Sequence, residues 1–190
     1  MSSGQAIWTS LEVTKLAVDV LTPLVVALCG WYINRRLKRL DFAQWSSQKV
    51  IEKRLLIYDQ IAPKINALLC FFTWVGFWKD VSPADAVRYK RELDKEINIY
   101  RHLFEEDVYR NYQTFIHLLF ETYNGPGHDA KLRATVDGPD GDRRTQCNYE
   151  WDEAWRSIFS DSPQIASKSD VRSGYNELMK ALTKAVGVRT

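Results

Sequence analysis

Hydrophobic positions first cluster near the N-terminus, in residues 16–33, which read LAVDVLTPLVVALCGWYI. As a helix rising about 1.5 Å per residue, this segment covers roughly 27 Å, close to the hydrocarbon thickness of about 30 Å. Four cations follow it: Arg35, Arg36, Lys38 and Arg39. Because Lys and Arg beside a span are retained on the cytoplasmic side, the pattern predicts a transmembrane helix over 16–33. Residues 1–15 are then a short extracytoplasmic segment, and the rest of the chain lies inside.

Two other interpretations of this segment compete with the span. A cleaved signal peptide carries its cations before the apolar run and a small-residue cleavage site after it, whereas this sequence has its cations afterwards and shows no such site. A buried core helix is the stronger competitor, because the segment is short and contains Asp19, Thr22 and Pro23. Trp31 and Tyr32 followed by cations are more typical of the lipid interface, which favours the span.

Polar and small residues follow one face of the predicted span. Since a carboxylate in hydrocarbon is costly, Asp19 is expected to face protein or water, and Pro23 leaves the Asp19 carbonyl free to turn toward a central lumen. The face therefore predicts self-association of the helices. An outer-interface position with snorkelling side chains for Lys15 and Asp19 is an equal alternative. Spacings of three and four place six residues on this stripe: Lys15, Asp19, Thr22, Val26, Cys29 and Gly30.

The helical pattern continues past the cations without a strong breaker as far as Pro63, which is predicted to end or kink the helix. We therefore divide the predicted cytoplasmic part of the chain into a basic juxtamembrane helix over 34–60 and a helical domain over 61–190. Residues 65–78, INALLCFFTWVGFW, are the most hydrophobic part of that domain. They are too few to cross a bilayer. They are predicted to form core, with a membrane-surface or oligomer contact as the alternative.

Further helices are indicated along the domain. Ser82-Pro83 is the N-cap serine and first-turn proline of a helix start, and the NGPG sequence at 124–127 is a helix stop. No strand pattern is convincing. The predicted fold class is all-α, one N-terminal transmembrane helix followed by a cytoplasmic helical bundle. Apolar positions of helical spacing occur after Ser82 and in three later segments, 105–123, 149–159 and 169–186.

Residues 128–147 form a long polar segment with turn residues at its centre. A segment of this length inside a small domain is mobile or functional. Cations beside a glycine-rich turn suit an anion such as a phosphate, although the spacing of a phosphate-binding loop is absent. A solvated loop is the alternative. The candidate ligand contacts are Lys131, Arg133, Arg143 and Arg144.

Charge and composition narrow the function. Residues 34–60 carry seven cations against three carboxylates, whereas the whole chain of 190 residues has a net charge of +2. The basic excess therefore lies beside the predicted span and is no evidence for nucleic-acid binding. No nucleophile, nucleotide-loop or metal motif is present, so we expect no enzyme activity, no cofactor and no metal. Cysteine and histidine are scattered: Cys29, Cys70, Cys147, His102, His117 and His128.

Several segments resemble the single-span membrane effectors of bacterial antiphage defence operons, those of the Hailong type: residues 53–55 (KRL), 58–66 (YDQIAPKIN), 72–76 (FTWVG), 90–95 (KRELDK), 120–123 (FETY) and 129–133 (DAKLR). The resemblance covers most of the chain and includes no catalytic motif. It implies a homo-oligomeric channel in the bacterial inner membrane. The state of that channel is set by a nucleotide or oligonucleotide that a partner nucleotidyltransferase makes.

Two functional hypotheses follow from the residues and the resemblance together. The first is an oligomeric membrane effector whose cytoplasmic domain senses a signal and gates a pore or disrupts the membrane. The second is a non-enzymatic membrane-tethered scaffold that binds another protein. The lipid bilayer is a partner in both, and self-association distinguishes the first.

Overall fold

The structure is a computed structural model that describes residues 10–122, 125, 127 and 129–187, with side chains described outside 10–20 and 37–46. The chain divides at the Lys49–Val50 boundary into two compact parts, which we call the N-terminal unit and the C-terminal unit. The described chain is mostly helical, as predicted, and its strands are only two residues long. The boundary between the units falls inside the segment predicted as the juxtamembrane helix.

The first helix, α1, runs over Ser10–Thr73. Helix therefore continues past the cations as predicted, and the alternative that Pro63 ends the helix is wrong. A proline inside a helix costs roughly 3 kcal/mol. Pro63 itself is exposed, whereas Ile61 and Ile65 on either side of it are fully buried. Burying such side chains contributes about 1.5–3 kcal/mol each, which offsets the cost of the proline.

One stretch of the described side chains, Ser47–Thr73, is long and apolar enough to cross a membrane by length and composition alone. Its inner face, which includes Ile57, Leu68 and Phe71, is buried within the C-terminal unit. Its outer face is exposed at Val50, Ile51, Leu55 and Leu56, so packing of the core accounts for the apolar residues of the inner face only. Burial of Leu68 and Phe71 confirms the prediction of core for much of residues 65–78, whereas Val75 and Phe77 in the same range are exposed. The span predicted over 16–33 stays a prediction.

Two helices follow the turn after α1. α2, Pro83–Ile99, begins at the predicted cap: Ser82 Oγ accepts a hydrogen bond from the Asp85 N–H, and the Asp85 carboxylate accepts one from the Ser82 N–H, both at 3.1 Å. α3, Glu106–Leu119, ends before the predicted Tyr123, because Phe120 leaves the helix for a short strand. The apolar residues at helical spacing in α2 are buried: Val87, Leu93 and Ile97. So are those of α3: Val108, Tyr112, Phe115, Ile116 and Leu119.

The last helix, α5, covers Lys168–Ala185, close to the predicted range, and packs against α3. Gly174 lies at their contact. A Cβ atom on Gly174 would lie 3.3 Å from Cδ2 of Phe115, so glycine allows the two helices to approach closely. The rings of Phe115 and Tyr175 meet edge to face at 6.5 Å. A larger residue at 174 would therefore require the Phe115 ring to shift by a few tenths of an ångström.

Short elements occupy the segment between α3 and α5. Strands β1 (Phe120–Glu121) and β2 (Lys131–Leu132) pair antiparallel, as do β3 (Asp137–Gly138) and β4 (Gly141–Asp142), which lead into α4 (Arg143–Gln146). Three 3₁₀ helices complete the described elements: Trp78–Asp80, Arg101–Leu103 and Glu153–Ile158.

The prediction of an α-helix over 149–159 is wrong, because only Glu153–Ile158 is helical there and it is a 3₁₀ helix. The backbone leaves it in extended form: Ser160 N–H donates to the Leu132 carbonyl at 2.8 Å, which ties this segment to β2. The aromatic residues spaced by four still meet. Trp151 lies 5.6 Å from Trp155 and 6.4 Å from Phe159 between ring centroids.

Candidate functional site

A cleft of about 620 Å³ opens in the C-terminal unit, lined by α2, β2 and the 3₁₀ helix Glu153–Ile158. Part of its lining is apolar and part is charged, with two residues of each sign. The apolar residues are Ala84, Val87, Ala130 and Ile158. The charged ones are Arg91, Asp129, Lys131 and Asp161, and Gly127 and Ser157 complete the lining.

Arg91 on α2 forms a bidentate ion pair with Asp129, which precedes β2. Its Nε donates to Oδ1 at 2.9 Å and its Nη2 donates to Oδ2. These hydrogen bonds lower the pKa of the Asp129 carboxyl below its usual value and raise the pKa of Arg91. Both side chains are more than half exposed, so solvent screens the pair and it contributes little to stability. The pair therefore leaves Arg91 accessible from the cleft.

Lys131 is held on the same cleft by β2. Its Nζ donates to the Asp161 carboxylate at 2.8 Å, and this hydrogen bond raises the pKa of Lys131 and lowers that of Asp161. Asp161 is 94% exposed, so the carboxylate can move away without exposing any buried group. Lys131 is thus a predicted ligand residue that the structure places on the same cleft as Arg91 of α2.

The arrangement suits a ligand with an apolar or planar part and anionic groups. The apolar lining accommodates the first, and Arg91 and Lys131 can donate to the second in place of their carboxylate partners. Asp129 and Asp161 therefore compete with any anionic ligand for Arg91 and Lys131. Within the residues that the structure describes, no three His, Cys, Asp or Glu side chains are grouped to hold a metal ion.

Arg143 has a different position from the other predicted ligand residues, because its side chain is 1% exposed. Its Cζ lies 4.1 Å from the ring centroid of Phe71 and 4.0 Å from that of Trp74. Nη2 donates to the Phe71 carbonyl at 2.9 Å and Nε to the Thr135 carbonyl at 3.0 Å. Burial lowers the pKa of Arg143 to about 10, so it is still charged at neutral pH. A ligand in solution does not reach it.

This buried cation caps the end of α1. The Phe71 carbonyl belongs to the last turn of α1, where carbonyls lack helical partners and the helix dipole is negative. Trp74, which follows the helix, adopts a left-handed φ of 59°. That conformation is unfavourable for a bulky residue, and the ring contact with the Arg143 guanidinium compensates it. Arg143 therefore fastens α4 to the end of α1.

The remaining predicted ligand residues lie on two other grooves. Arg133 Nη1 donates to Gln164 Oε1 at 2.7 Å beside His117. Arg144 forms a bidentate pair with Asp142, with Nη2 2.7 Å from Oδ2. The structure therefore does not bring Lys131, Arg133, Arg143 and Arg144 to one place.

The predicted stripe on the span is only partly covered by the structure. The side chains of Lys15 and Asp19 lie outside the described residues, as do those of Lys38 and Arg39. Pro23 and the other members of the stripe are exposed on α1, the latter being Thr22, Val26, Cys29 and Gly30. Arg35 and Arg36 are exposed as well, and their guanidinium groups lie over Trp31 and Tyr32.

Sequence reasoning missed Arg91, Asp129 and Asp161 as cleft residues. Arg91 belongs to a run of alternating charges on α2, which is typical of a solvated helix face. Its partner Asp129 is 38 positions away, and no local spacing indicates such a contact. The β1–β2 pairing, which brings residue 131 back to residue 121, was the missing information.

Comparison with known proteins does not add to this description, since no family model, curated protein or solved structure matches the chain.

Proposed function

We propose that this chain is an oligomeric membrane effector of antiphage defence. Its N-terminal helix spans the bacterial inner membrane with the N-terminus outside, and its C-terminal unit lies in the cytoplasm and senses a signal. The signal changes a pore that the N-terminal helices form together, or makes them disrupt the membrane.

The observation that carries the proposal is the exposure of the apolar residues in the N-terminal unit. All described side chains over 21–36 are exposed, and the large apolar ones cover a broad face of the helix beside the small and polar stripe. An exposed apolar face of this breadth is covered by lipid or by other helices. Eight large hydrophobic residues here are 47–65% exposed: Leu21, Leu24, Val25, Val26, Leu28, Trp31, Tyr32 and Ile33.

The cleft supports the sensing part of the proposal. A nucleotide or short oligonucleotide, the signal that the resemblance implies, has planar bases for the apolar lining and phosphates for Arg91 and Lys131. Phosphate oxygens accept bidentate hydrogen bonds from Arg as carboxylates do. Binding would therefore exchange Asp129 and Asp161 for phosphate.

Arg54 supports transmission from the C-terminal unit to α1. This α1 side chain donates to the Leu103 carbonyl at 2.5 Å, to the Ala185 carbonyl at 2.8 Å and to Glu105 Oε1 at 3.1 Å. One guanidinium thus joins α1 to the start of α3 and the end of α5. A rearrangement of those helices in the sensing domain would act on α1, which also contains the proposed span.

Depolarisation of cells tests the effector function. Expression of the wild-type chain, with its signal supplied or withheld, is expected to depolarise the membrane in one of the two states. Asp19→Leu is expected to change the amount of protein needed for depolarisation by roughly tenfold or more, because a carboxylate in a span costs about 3 kcal/mol. Pro23→Ala is expected to change this amount as well, because it restores a backbone donor to the Asp19 carbonyl. Asp59→Leu, which changes an exposed carboxylate in the C-terminal unit, is the control.

The oligomeric state in nanodiscs accompanies this measurement, since one span cannot enclose a pore. If the protein is a monomer, or if the membrane potential never changes, the effector hypothesis is rejected in favour of a membrane-tethered scaffold. The exposed apolar residues Leu55, Leu56 and Ile99 of the C-terminal unit would then be the first surface to test for a protein partner.

Ligand binding tests the cleft. The full chain in nanodiscs is titrated with short oligonucleotides and cyclic nucleotides at low and moderate salt. Arg91→Ala with Lys131→Ala is expected to weaken binding at least about tenfold, since two charged hydrogen bonds are lost. Asp129→Asn is expected to tighten binding, because it removes the competitor of Arg91.

Lys95→Ala is the matched control, since Lys95 is an exposed cation on the same helix. An equal loss with Lys95→Ala, or weaker binding with Asp129→Asn, would show that the cleft is not the site.

A further inference from the structure

We propose that Trp31, Tyr32, Arg35 and Arg36 form a binding site for the phosphate group of an anionic phospholipid. The four side chains line a groove of about 330 Å³ on the N-terminal part of α1. The Cζ atom of Arg35 lies over the Trp31 ring, 5.3 Å from its centroid, and that of Arg36 lies over the Tyr32 ring at 5.7 Å. Arg36 Nη2 also donates to the Tyr32 hydroxyl at 3.3 Å.

Helix geometry produces this arrangement. Residues four apart lie on the same face, and long helical side chains lean toward the N-terminus. Arg35 therefore reaches back over Trp31, and Arg36 over Tyr32. Two aromatic–arginine pairs result on neighbouring faces of α1. In each pair the ring supports the guanidinium, so less side-chain freedom is lost when a ligand binds.

A guanidinium carries five N–H donors. Among the described residues, the Tyr32 hydroxyl is the one acceptor that bonds to either side chain, so most of these donors have no acceptor there. Neither arginine forms an ion pair with a described carboxylate, in contrast to Arg91, Arg144 and Lys131. Charged donors in a fixed fork match the oxygens of a phosphate.

The position of the groove indicates that the phosphate belongs to a lipid. The proposed site rests on the proposed span, because the groove directly follows the exposed apolar stretch that ends at Ile33. In a bilayer, Trp and Tyr at the end of a span lie at the level of the headgroups. Leaning back over these rings places both guanidinium groups at that level. The cytoplasmic leaflet, where this end of the span is proposed to lie, contains the anionic lipids.

Lipid retention provides the test. The full chain is reconstituted in nanodiscs of phosphatidylglycerol and phosphatidylcholine, extracted gently, and its bound lipids are counted by native mass spectrometry. Arg35→Lys with Arg36→Lys keeps both charges but loses the forked donors, and it is expected to retain about tenfold less phosphatidylglycerol. Lys38→Gln with Arg39→Gln removes two charges that follow the groove residues in sequence. This variant is expected to retain phosphatidylglycerol within about twofold of the wild type.

Several results would overturn the lipid site. Unchanged retention in the lysine variant would show that charge alone attracts the lipid, and so would a larger loss in the Lys38 and Arg39 variant. Equal displacement of the lipid by millimolar inorganic phosphate would show that the groove takes any phosphate. If the wild type is not integrated in the membrane at all, the proposed function fails with it. If the wild type is integrated in the membrane but retains lipids without selectivity, only the lipid site is rejected.

Discussion

Arg143→Ala is expected to lower the midpoint of thermal unfolding of the full chain in detergent by about 10 °C. The substitution leaves a cavity between Phe71 and Trp74, and it leaves the Phe71 and Thr135 carbonyls without their donor. Truncating a large buried side chain and leaving buried carbonyls unpaired together cost about 3 kcal/mol. For a domain of this size that free energy corresponds to roughly 10 °C.

Two further substitutions identify the cause of the loss. Arg143→Met fills the space between the rings and removes a charge that is costly to bury. It is therefore expected to lower the midpoint of thermal unfolding by about half as much as Arg143→Ala. Arg144→Ala removes the neighbouring cation, whose partner Asp142 is two residues away, and is expected to change the midpoint by no more than about 2 °C. A midpoint that falls equally for residues 143 and 144 would show that Arg143 does not cap α1.

Leu24→Arg is expected to abolish most membrane integration of the chain, whereas Leu56→Arg is expected to leave integration unchanged. The two leucines are almost equally exposed, at 57% and 59%. One lies in the proposed span and the other in Ser47–Thr73, the stretch that passes as a span by length and composition. Replacing leucine by arginine near the centre of a span costs about 3–4 kcal/mol of insertion free energy.

Carbonate extraction of membranes from expressing cells measures this difference, with the soluble fraction as the complement. Val25→Ile, a change that keeps the segment apolar, is the control for expression. Loss of integration with Leu56→Arg and not with Leu24→Arg would assign the membrane to the second stretch. It would also contradict the burial of Ile57 and Ile61 on that part of α1.

Most helices of the C-terminal unit could be predicted because their signals are local. Ser82-Pro83 specifies the start of α2 through a cap formed within four residues. The spacing of Val108, Tyr112, Phe115 and Leu119 specifies which face of α3 is buried. Each of these features depends on neighbours within one or two turns, so the amino-acid sequence contains the whole signal.

Where prediction failed, a distant contact decided the outcome. Pro63 does not end α1, since burial of the residues around it outweighs a local preference. The aromatic residues at 151, 155 and 159 have helical spacing, but the chain there forms a 3₁₀ helix and leaves it by a bond to Leu132. Periodicity reports which residues are buried together and does not by itself fix the backbone that buries them.

The amino-acid sequence by itself determined the apolar stretch over 16–33, the cations that follow it and the helical class of the chain, because composition and spacing along one segment are sufficient for these. Only the tertiary structure decided the roles of the four cations proposed as ligand contacts. It buries Arg143 against Phe71 and Trp74 at the end of α1, places Arg133 and Arg144 on separate grooves, and places Lys131 on the cleft that Arg91 also lines. The sequence around a cation next to a turn is the same whether the cation binds an anionic ligand, a carboxylate of the protein or an aromatic ring. The reason is that its partner comes from elsewhere in the fold.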